Sequence, residues 1–145
     1  MKQVEYKVQI NAPREKVWKT LWEDKTYREW TKVFHEGSYA ESDWKEGSKI
    51  LFLGPGKSGM YSMIDKMVPN EKMYFKHLGE VKSGVEQPID ESTKSWSGAK
   101  ENYTLTEKDG GTELKAEMDS TDEMYDYFKD KFPKAMQLVK EISEK

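Results

Sequence analysis

Cysteine is absent from the 145-residue sequence, and histidine occurs only twice. Without cysteine the chain can form no disulfide, no thiolate nucleophile and no metal site with sulfur ligands. His35, followed by Glu36, lies far from His77, so the two histidines do not have the spacing of a metal-ligand motif. We therefore expect no metal and no other cofactor.

Long apolar runs and an excess of charge of one sign are also absent. No stretch is long enough to span a bilayer, and the N-terminal segment MKQVEYKVQI lacks the continuous apolar region of a signal peptide. The net charge is −3, from 24 basic and 27 acidic residues that are interleaved. This pattern provides no basic surface for nucleic acid or for a membrane. We expect a cytoplasmic protein that binds no nucleic acid.

Aromatic and methionine side chains, by contrast, are plentiful: five Trp, eight Tyr, five Phe and eight Met. A chain so rich in large apolar side chains is not expected to be disordered. At this length a folded chain buries about 70% of the surface that its unfolded form exposes. No repeat or low-complexity linker divides the sequence. The sequence predicts a single domain over residues 1–145, whose core is either solid or contains a pocket.

The stretch from Ser120 to Lys145 is predicted to be a long helix. Ser120 and Glu123 match a capping box at its start. Pro133 predicts a kink, or a division into a short helix and a main helix that begins near the proline. Apolar residues recur at steps of three or four, which places them on one stripe. The stripe consists of Tyr125, Phe128, Phe132, Ala135, Val139 and Ile142. Such a stripe more often packs in a core than against a ligand.

The first part of the chain predicts a strand followed by two short helices. Apolar and polar residues alternate from Val4 to Ile10, as in a strand with one solvated face. Pro13 suits the first position of a helix. A second helix is expected after Asp24, which can cap it. The apolar residues of the two helices are Val17, Trp18, Leu21, Tyr27 and Trp30.

The middle of the chain predicts an antiparallel meander, so that the fold class is α+β with about six to seven strands. Turn signals rich in glycine, proline and asparagine separate the strand-like runs. These runs cover residues 38–43, 49–53, 60–68, 72–78, 100–107 and 112–119. The polar segment from Gly79 to Gly98 is predicted to be a long loop or flap.

Short motifs that mark turns and packing positions extend over nearly the whole chain. They are Val8-x-Ile10-x-Ala12-Pro13-x-x-x-Val17-Trp18, Trp30, Trp44-x-x-Gly47, Asn102-Tyr103-Thr104-Leu105, Asp109-Gly110-Gly111-Thr112-x-Leu114 and Phe132-Pro133-Lys134-Ala135-Met136-x-x-Val139-Lys140.

With this order of elements, the motifs resemble the START-like helix-grip superfamily, also called SRPBCC, which includes polyketide cyclases. Within it, the chain most resembles small bacterial proteins named after the Hsp90 ATPase activator domain. The resemblance implies a curved antiparallel sheet wrapped around the long C-terminal helix, with a cavity between them in many members. Members of the superfamily differ in function, so the motifs specify the fold and not the activity.

The alternation of strand residues predicts which side chains face such a cavity. If Lys72, Tyr74 and Lys76 face water, His77 faces inward, and the same parity turns Glu101 inward. These two are then the polar groups of an otherwise apolar space, although a hydrogen-bonded structural histidine and an exposed strand carboxylate are alternatives. The predicted ligand-binding residues are Trp30, Phe34, Phe52, Phe75, His77, Glu101, Tyr103, Phe128 and Phe132.

Other chemical motifs fail when they are checked against the sequence. Gly56-Lys57-Ser58 is similar to the end of a phosphate-binding loop, but Leu51 occupies the position of the required first glycine. No serine lies in a nucleophile elbow, and Asp65 and Asp90 have no evident carboxylate partner. The sequence predicts no catalytic residue.

Three functions from different classes follow. The first is non-catalytic binding of a small hydrophobic or amphipathic ligand, which we favour. The second is a chaperone-associated protein like the Hsp90 activator, although only one domain of that activator is matched. The third is an enzyme like the polyketide cyclases, with His77 and Glu101 as acid/base candidates.

Overall fold

The computed structural model describes residues 1–145 and contains one antiparallel sheet and four α-helices. In chain order the elements are β1 (Lys2–Ile10), α1 (Arg14–Trp22), α2 (Asp24–Thr31), β2 (Tyr39–Ser42), β3 (Lys49–Leu53), β4 (Gly59–Val68), β5 (Lys72–Lys82), β6 (Val85–Glu86), α3 (Glu91–Lys94), β7 (Lys100–Lys108), β8 (Gly111–Ser120) and α4 (Tyr125–Ser143). The predicted α+β class, with two short helices after β1 and a long final helix, is confirmed.

The sheet is open and curved, and its strand order is β1-β8-β7-β5-β4-β3-β2, with β6 paired to β5. Along β5 every second residue is buried, including Met73, Phe75 and His77. On β7, Tyr103 and Leu105 are buried in the same way. The predicted parity of these strands is therefore confirmed, because successive side chains of a strand point to opposite faces.

Helix α4 packs its apolar stripe against the inner face of the sheet. Phe132, Ala135 and Val139 are fully buried, and the rings of Phe132 and Tyr103 have their centroids 6.5 Å apart. Ile142 is only half-buried, at the end of the stripe. The helix thus packs mainly along β1, and Phe132 extends the contact to Tyr103 on β7.

Two predictions about the start and continuity of α4 are wrong. Ser120 is the last residue of β8, where it pairs with Lys2, and its hydroxyl donates to the carbonyl of Thr121 instead of capping a helix. The helix begins at Tyr125 with no side-chain cap. Pro133 lies inside one continuous helix, so the predicted division into two helices is wrong, whereas a kink at the proline stays a prediction. A continuous helix is possible because the φ angle that proline fixes, about −65°, is itself helical.

Helices α1 and α2 form a pair that contacts the sheet through aromatic rings. The ring of Trp22, at the end of α1, lies 5.1 Å from that of Tyr103 and 5.3 Å from that of Phe75, both edge-to-face. The predicted cap of α2 is wrong, because Asp24 is the first helical residue and its carboxylate accepts a hydrogen bond from Nε of Arg28 at 3.0 Å.

The segment from Gly79 to Gly98 is not the long loop that the sequence predicts. Strand β5 continues to Lys82 and returns as β6 through Ser83 and Gly84, whose φ angles are +50° and +80°. Positive φ at both central residues is the conformation of a tight hairpin turn. Strand β6 brings the sheet to eight strands instead of six or seven. Helix α3 follows β6 in the chain.

Candidate functional site

A cavity of about 560 Å³ lies between the inner face of the sheet, α2 and the first turns of α4. Strands β3, β5 and β7 contribute to its floor, and the exposed side chains of His35 and Met124 lie at its rim. Its volume is within the range of about 300 to 1,000 Å³ that is typical of sites for small molecules. The arrangement provides a largely apolar space that is partly open to solvent.

The structure brings most of the predicted ligand-binding residues together around this cavity. Those that form part of its wall are Trp30, Phe34, Phe52, His77, Glu101 and Phe128. The other three, Phe75, Tyr103 and Phe132, are buried in the core and are not part of the wall. Ligand contact remains a prediction for the whole set. The ring of Phe132 packs between those of Phe34 and Tyr103 instead of lining the cavity.

The polar end of the cavity is a chain of hydrogen bonds that crosses three strands. Nδ1 of His77 lies 2.7 Å from Oγ of Ser62, and its Nε2 lies 3.0 Å from Oε1 of Glu101. The hydroxyl of Tyr103 donates to the other carboxylate oxygen of Glu101. Because Nε2 faces a carboxylate, which only accepts, the ring proton is assigned to Nε2, which donates the hydrogen bond to Glu101.

Glu101 dominates the electrostatics of this end. Its side chain is 16% exposed and that of His77 is 6% exposed, so the pair is largely removed from water. Burial raises the pKa of Tyr103 well above its ordinary value, and the charge of Glu101 and the hydrogen bond to it raise this pKa further. Burial and the same charge raise the pKa of Tyr27. Both phenols therefore remain neutral, and that of Tyr103 donates a hydrogen bond to the partly buried Glu101 carboxylate.

Ser62, His77 and Glu101 have the connectivity of a nucleophilic triad, but the order of exposure is the reverse of what such a triad requires. A nucleophilic serine must reach the substrate. Ser62 is fully buried and is not part of the cavity wall, whereas His77 and Glu101 are. The serine therefore positions the imidazole ring from behind, and the arrangement does not support acyl transfer through Ser62.

Several wall residues were not predicted from the sequence. Trp96 follows α3 in the segment that the sequence predicts as a loop, and Met60 begins the inner face of β4. Gly59 also contributes to the wall, and a side chain there would place its Cβ 1.9 Å from the carbonyl oxygen of Phe52. The close approach of β3 and β4 thus requires glycine. The pairing of Gly59 with Leu53 is the signal that identifies this position, and it is visible only in the folded chain.

The chain has no group of three or more His, Asp or Glu side chains arranged to hold a metal ion. None of its helices combines the length and apolar character needed to cross a membrane.

A curved antiparallel sheet, a long C-terminal helix packed on it and a cavity between them define the helix-grip class of the START-like SRPBCC superfamily. Comparison with family models is more specific, since residues 11–140 match the model of the Activator of Hsp90 ATPase homolog 1-like protein family. The chain belongs to this family. The comparison with curated protein sequences found no match.

Solved structures of similar fold match almost the whole chain. The Aha1 dimer from Colwellia psychrerythraea has a TM-score of 0.73 and 21% identity, over 99% of this chain and 97% of that one. A protein from Cytophaga hutchinsonii has a TM-score of 0.70 and 23% identity, over 97% and 92%. CalU16 from Micromonospora echinospora has a TM-score of 0.66 and 16% identity, over 97% and 75%. At these identities the similarity shows the fold alone.

Proposed function

We propose that this protein binds a small hydrophobic or amphipathic molecule in the cavity between the sheet, α2 and α4, without catalysing a reaction. The observation that carries the proposal is the cavity itself, which has a volume of about 560 Å³ and a largely apolar wall that includes seven Phe, Trp or Tyr side chains. Binding of an apolar molecule in an apolar space of this size is favourable, because apolar surface is removed from water.

The hydrogen-bonded pair of His77 and Glu101 supports an amphipathic occupant. Both side chains lie next to each other in a largely apolar wall, so a ligand that enters with its polar group towards them avoids burying unpaired polar atoms. The aromatic side chains of Trp30, Phe34 and Phe128 would contact the apolar part of the ligand.

Filling the cavity tests the proposal. Met60 faces the cavity and pairs with Phe52, whereas Met63 is not part of the wall and pairs with Lys49. We expect Met60→Trp to abolish binding of the neutral fluorescent probe Nile red, because the indole occupies the space of the ligand. Met63→Trp adds the same group at a position outside the wall and should leave binding unchanged. Equal binding by both variants, with native mass spectra that show no retained ligand, would count against a ligand-binding function.

The family description motivates a second candidate, which is association with the chaperone Hsp90. The purified chain should then change the steady-state ATPase rate of Hsp90 in a concentration-dependent way. An unchanged rate at saturating concentration would exclude activation by this chain.

An enzyme like the polyketide cyclases is the third candidate, because His77 and Glu101 are in contact at the cavity wall. His77→Gln replaces the imidazole with an amide, which can still form hydrogen bonds but cannot act as an acid or a base. If turnover of a screened substrate is unchanged in this variant, acid/base catalysis by the pair is excluded.

We further propose, as the sequence predicts, that the protein acts as a single domain in the cytoplasm.

A further inference from the structure

The wall of the cavity carries negative charge without a matching positive side chain. None of its 24 residues is lysine or arginine. It contains two acidic residues, Glu101 and Asp119. The carboxylate of Asp119 accepts the backbone N–H of Lys100 at 3.0 Å in an exposed position. Glu101 is therefore the carboxylate that determines the charge of the interior.

The polar groups that are hydrogen-bonded to Glu101 have no donor left for an anionic ligand. Nε2 of His77 and the hydroxyl of Tyr103 both bind the Glu101 carboxylate, and Nδ1 of His77 is engaged by Ser62. A carboxylate or phosphate ligand would meet Glu101 at close range with no cation between them, which costs free energy in a desolvated site.

A cationic ligand meets the opposite conditions. Glu101 forms no ion pair with lysine or arginine, and its one charged-type contact is with His77. A buried carboxylate is stabilised when a cation approaches it and donates a hydrogen bond. The aromatic rings of Trp30, Phe52 and Phe128 surround the same space. Their faces attract organic cations by a cation–π interaction.

We infer that the cavity selects an organic cation, namely a protonated amine attached to an apolar body, with its ammonium group at Glu101. This inference rests on the proposed ligand-binding function and specifies the chemical class of the ligand. Fatty acids and other anionic amphiphiles of the same size are disfavoured by the same charge.

Three probes with one apolar body separate the head groups: naphthylmethylamine, naphthalenemethanol and naphthoate, titrated at neutral pH. Binding is followed by calorimetry and by NMR shifts of the indole N–H signals of Trp30 and Trp96. We expect the amine to bind about tenfold more tightly than the alcohol, because a charge-assisted hydrogen bond is stronger than a neutral one. We expect naphthoate to bind most weakly.

Substitution of the carboxylate provides the second measurement. Glu101→Gln keeps the shape of the side chain and removes its charge, so the preference for the amine over the alcohol should disappear. Glu5→Gln removes the same charge from an exposed position on β1 and should leave the preference intact. The order of the three probes on the unmodified protein tests the inference even if Glu101→Gln does not fold.

Alcohol or naphthoate binding as tightly as the amine overturns the cationic inference while leaving the proposed function in place. A preference for the amine that persists in folded Glu101→Gln also overturns it. If none of the three probes moves the signals of Trp30 and Trp96, both the inference and the proposed function fail.

Discussion

Nε2 of His77 on β5 lies 3.0 Å from Oε1 of Glu101 on β7. Backbone pairing fixes this contact, because the amide of His77 binds the carbonyl of Ala99 and Phe75 pairs directly with Glu101. The two side chains are thus diagonal neighbours on one face of the sheet, within reach of each other. The polar end of the cavity is held by a rigid ladder and not by a loop.

The hydroxyl of Tyr103 is the second donor to Glu101, and its removal should lower stability. Tyr103→Phe leaves one oxygen of a largely buried carboxylate without its protein donor. We expect the free energy of unfolding to fall by about 1 to 3 kcal/mol, the usual cost of an unsatisfied buried acceptor. Urea denaturation at neutral pH measures the change.

Tyr74→Phe is the matched control. Its hydroxyl bonds to Oγ1 of Thr104 at 3.2 Å on the half-buried outer face of the sheet. Because water can replace that partner, we expect a change within about 0.5 kcal/mol. Equal losses for the two variants would mean that the contact with Glu101 has no special energetic role.

Burial of Tyr27 and Tyr103 should make the folded protein less stable in alkali. Their pKa values are raised above the ordinary value of 10.0, so the unfolded chain releases their protons at lower pH than the folded chain. The stabilisation is fully present below about pH 10 and decreases as the pH rises above this value, by about 1.4 kcal/mol per pH unit for each tyrosine. Urea denaturation in the alkaline range should show this slope.

A double variant, Tyr27→Phe with Tyr103→Phe, removes both titrating groups. Its free energy of unfolding should decrease less steeply with pH than that of the unmodified chain. A spectrophotometric titration gives an independent check, because two of the eight tyrosines should ionise only when the protein unfolds. Ionisation of all eight in the folded state would contradict the assignment.

Glu144 anchors the end of α4 to the end of β1. Its carboxylate accepts the backbone N–H of Asn11 at 2.8 Å and also pairs with Lys140, and these contacts lower its pKa below 4.5. A lowered pKa in the folded state gives stabilisation that is present above pH 4.5 and lost as the pH falls through the folded value. Glu144→Gln should therefore lower Tm at neutral pH, and the difference should shrink on acidification.

Glu141→Gln is the comparison for this effect, because Glu141 is exposed on the same helix and forms no ion pair in the structure. Its Tm should follow that of the unmodified chain at every pH. A difference between Glu144→Gln and the unmodified protein that is constant from neutral to acidic pH would exclude a role for the carboxylate charge.

The alternation of side chains along β5 and β7 was sufficient to predict that His77 and Glu101 share the inner face. It was not sufficient to predict their partners. Ser62 lies opposite His77 only because the pairing of β4 with β5 shifts register between Tyr61 and Ser62. Such an irregularity depends on the packing of both strands and changes which residues are neighbours.

The wall of the cavity was predicted incompletely for a related reason. Trp96 lies between α3 and β7, in a segment whose path depends on the hairpin at Ser83 and Gly84 and on the bond from its neighbour Ser97 to the carbonyl of Leu78. Long-range contacts of this kind leave no periodic signal in the sequence. The position of Trp96 in the wall could therefore not be predicted from the sequence.

Pro133 provides the last prediction, because it lies in a helix that remains continuous around it. A proline there donates no backbone hydrogen bond and crowds the preceding turn, so its replacement should restore a donor. We expect Pro133→Ala to raise the free energy of unfolding by about 1 to 3 kcal/mol, up to the difference in helix propensity between the two residues. Gln137→Ala, at an exposed position one turn later, should change it by less than about 0.5 kcal/mol. Urea denaturation of both variants decides the matter, since a loss of stability in Pro133→Ala would show that the surrounding packing depends on the proline ring.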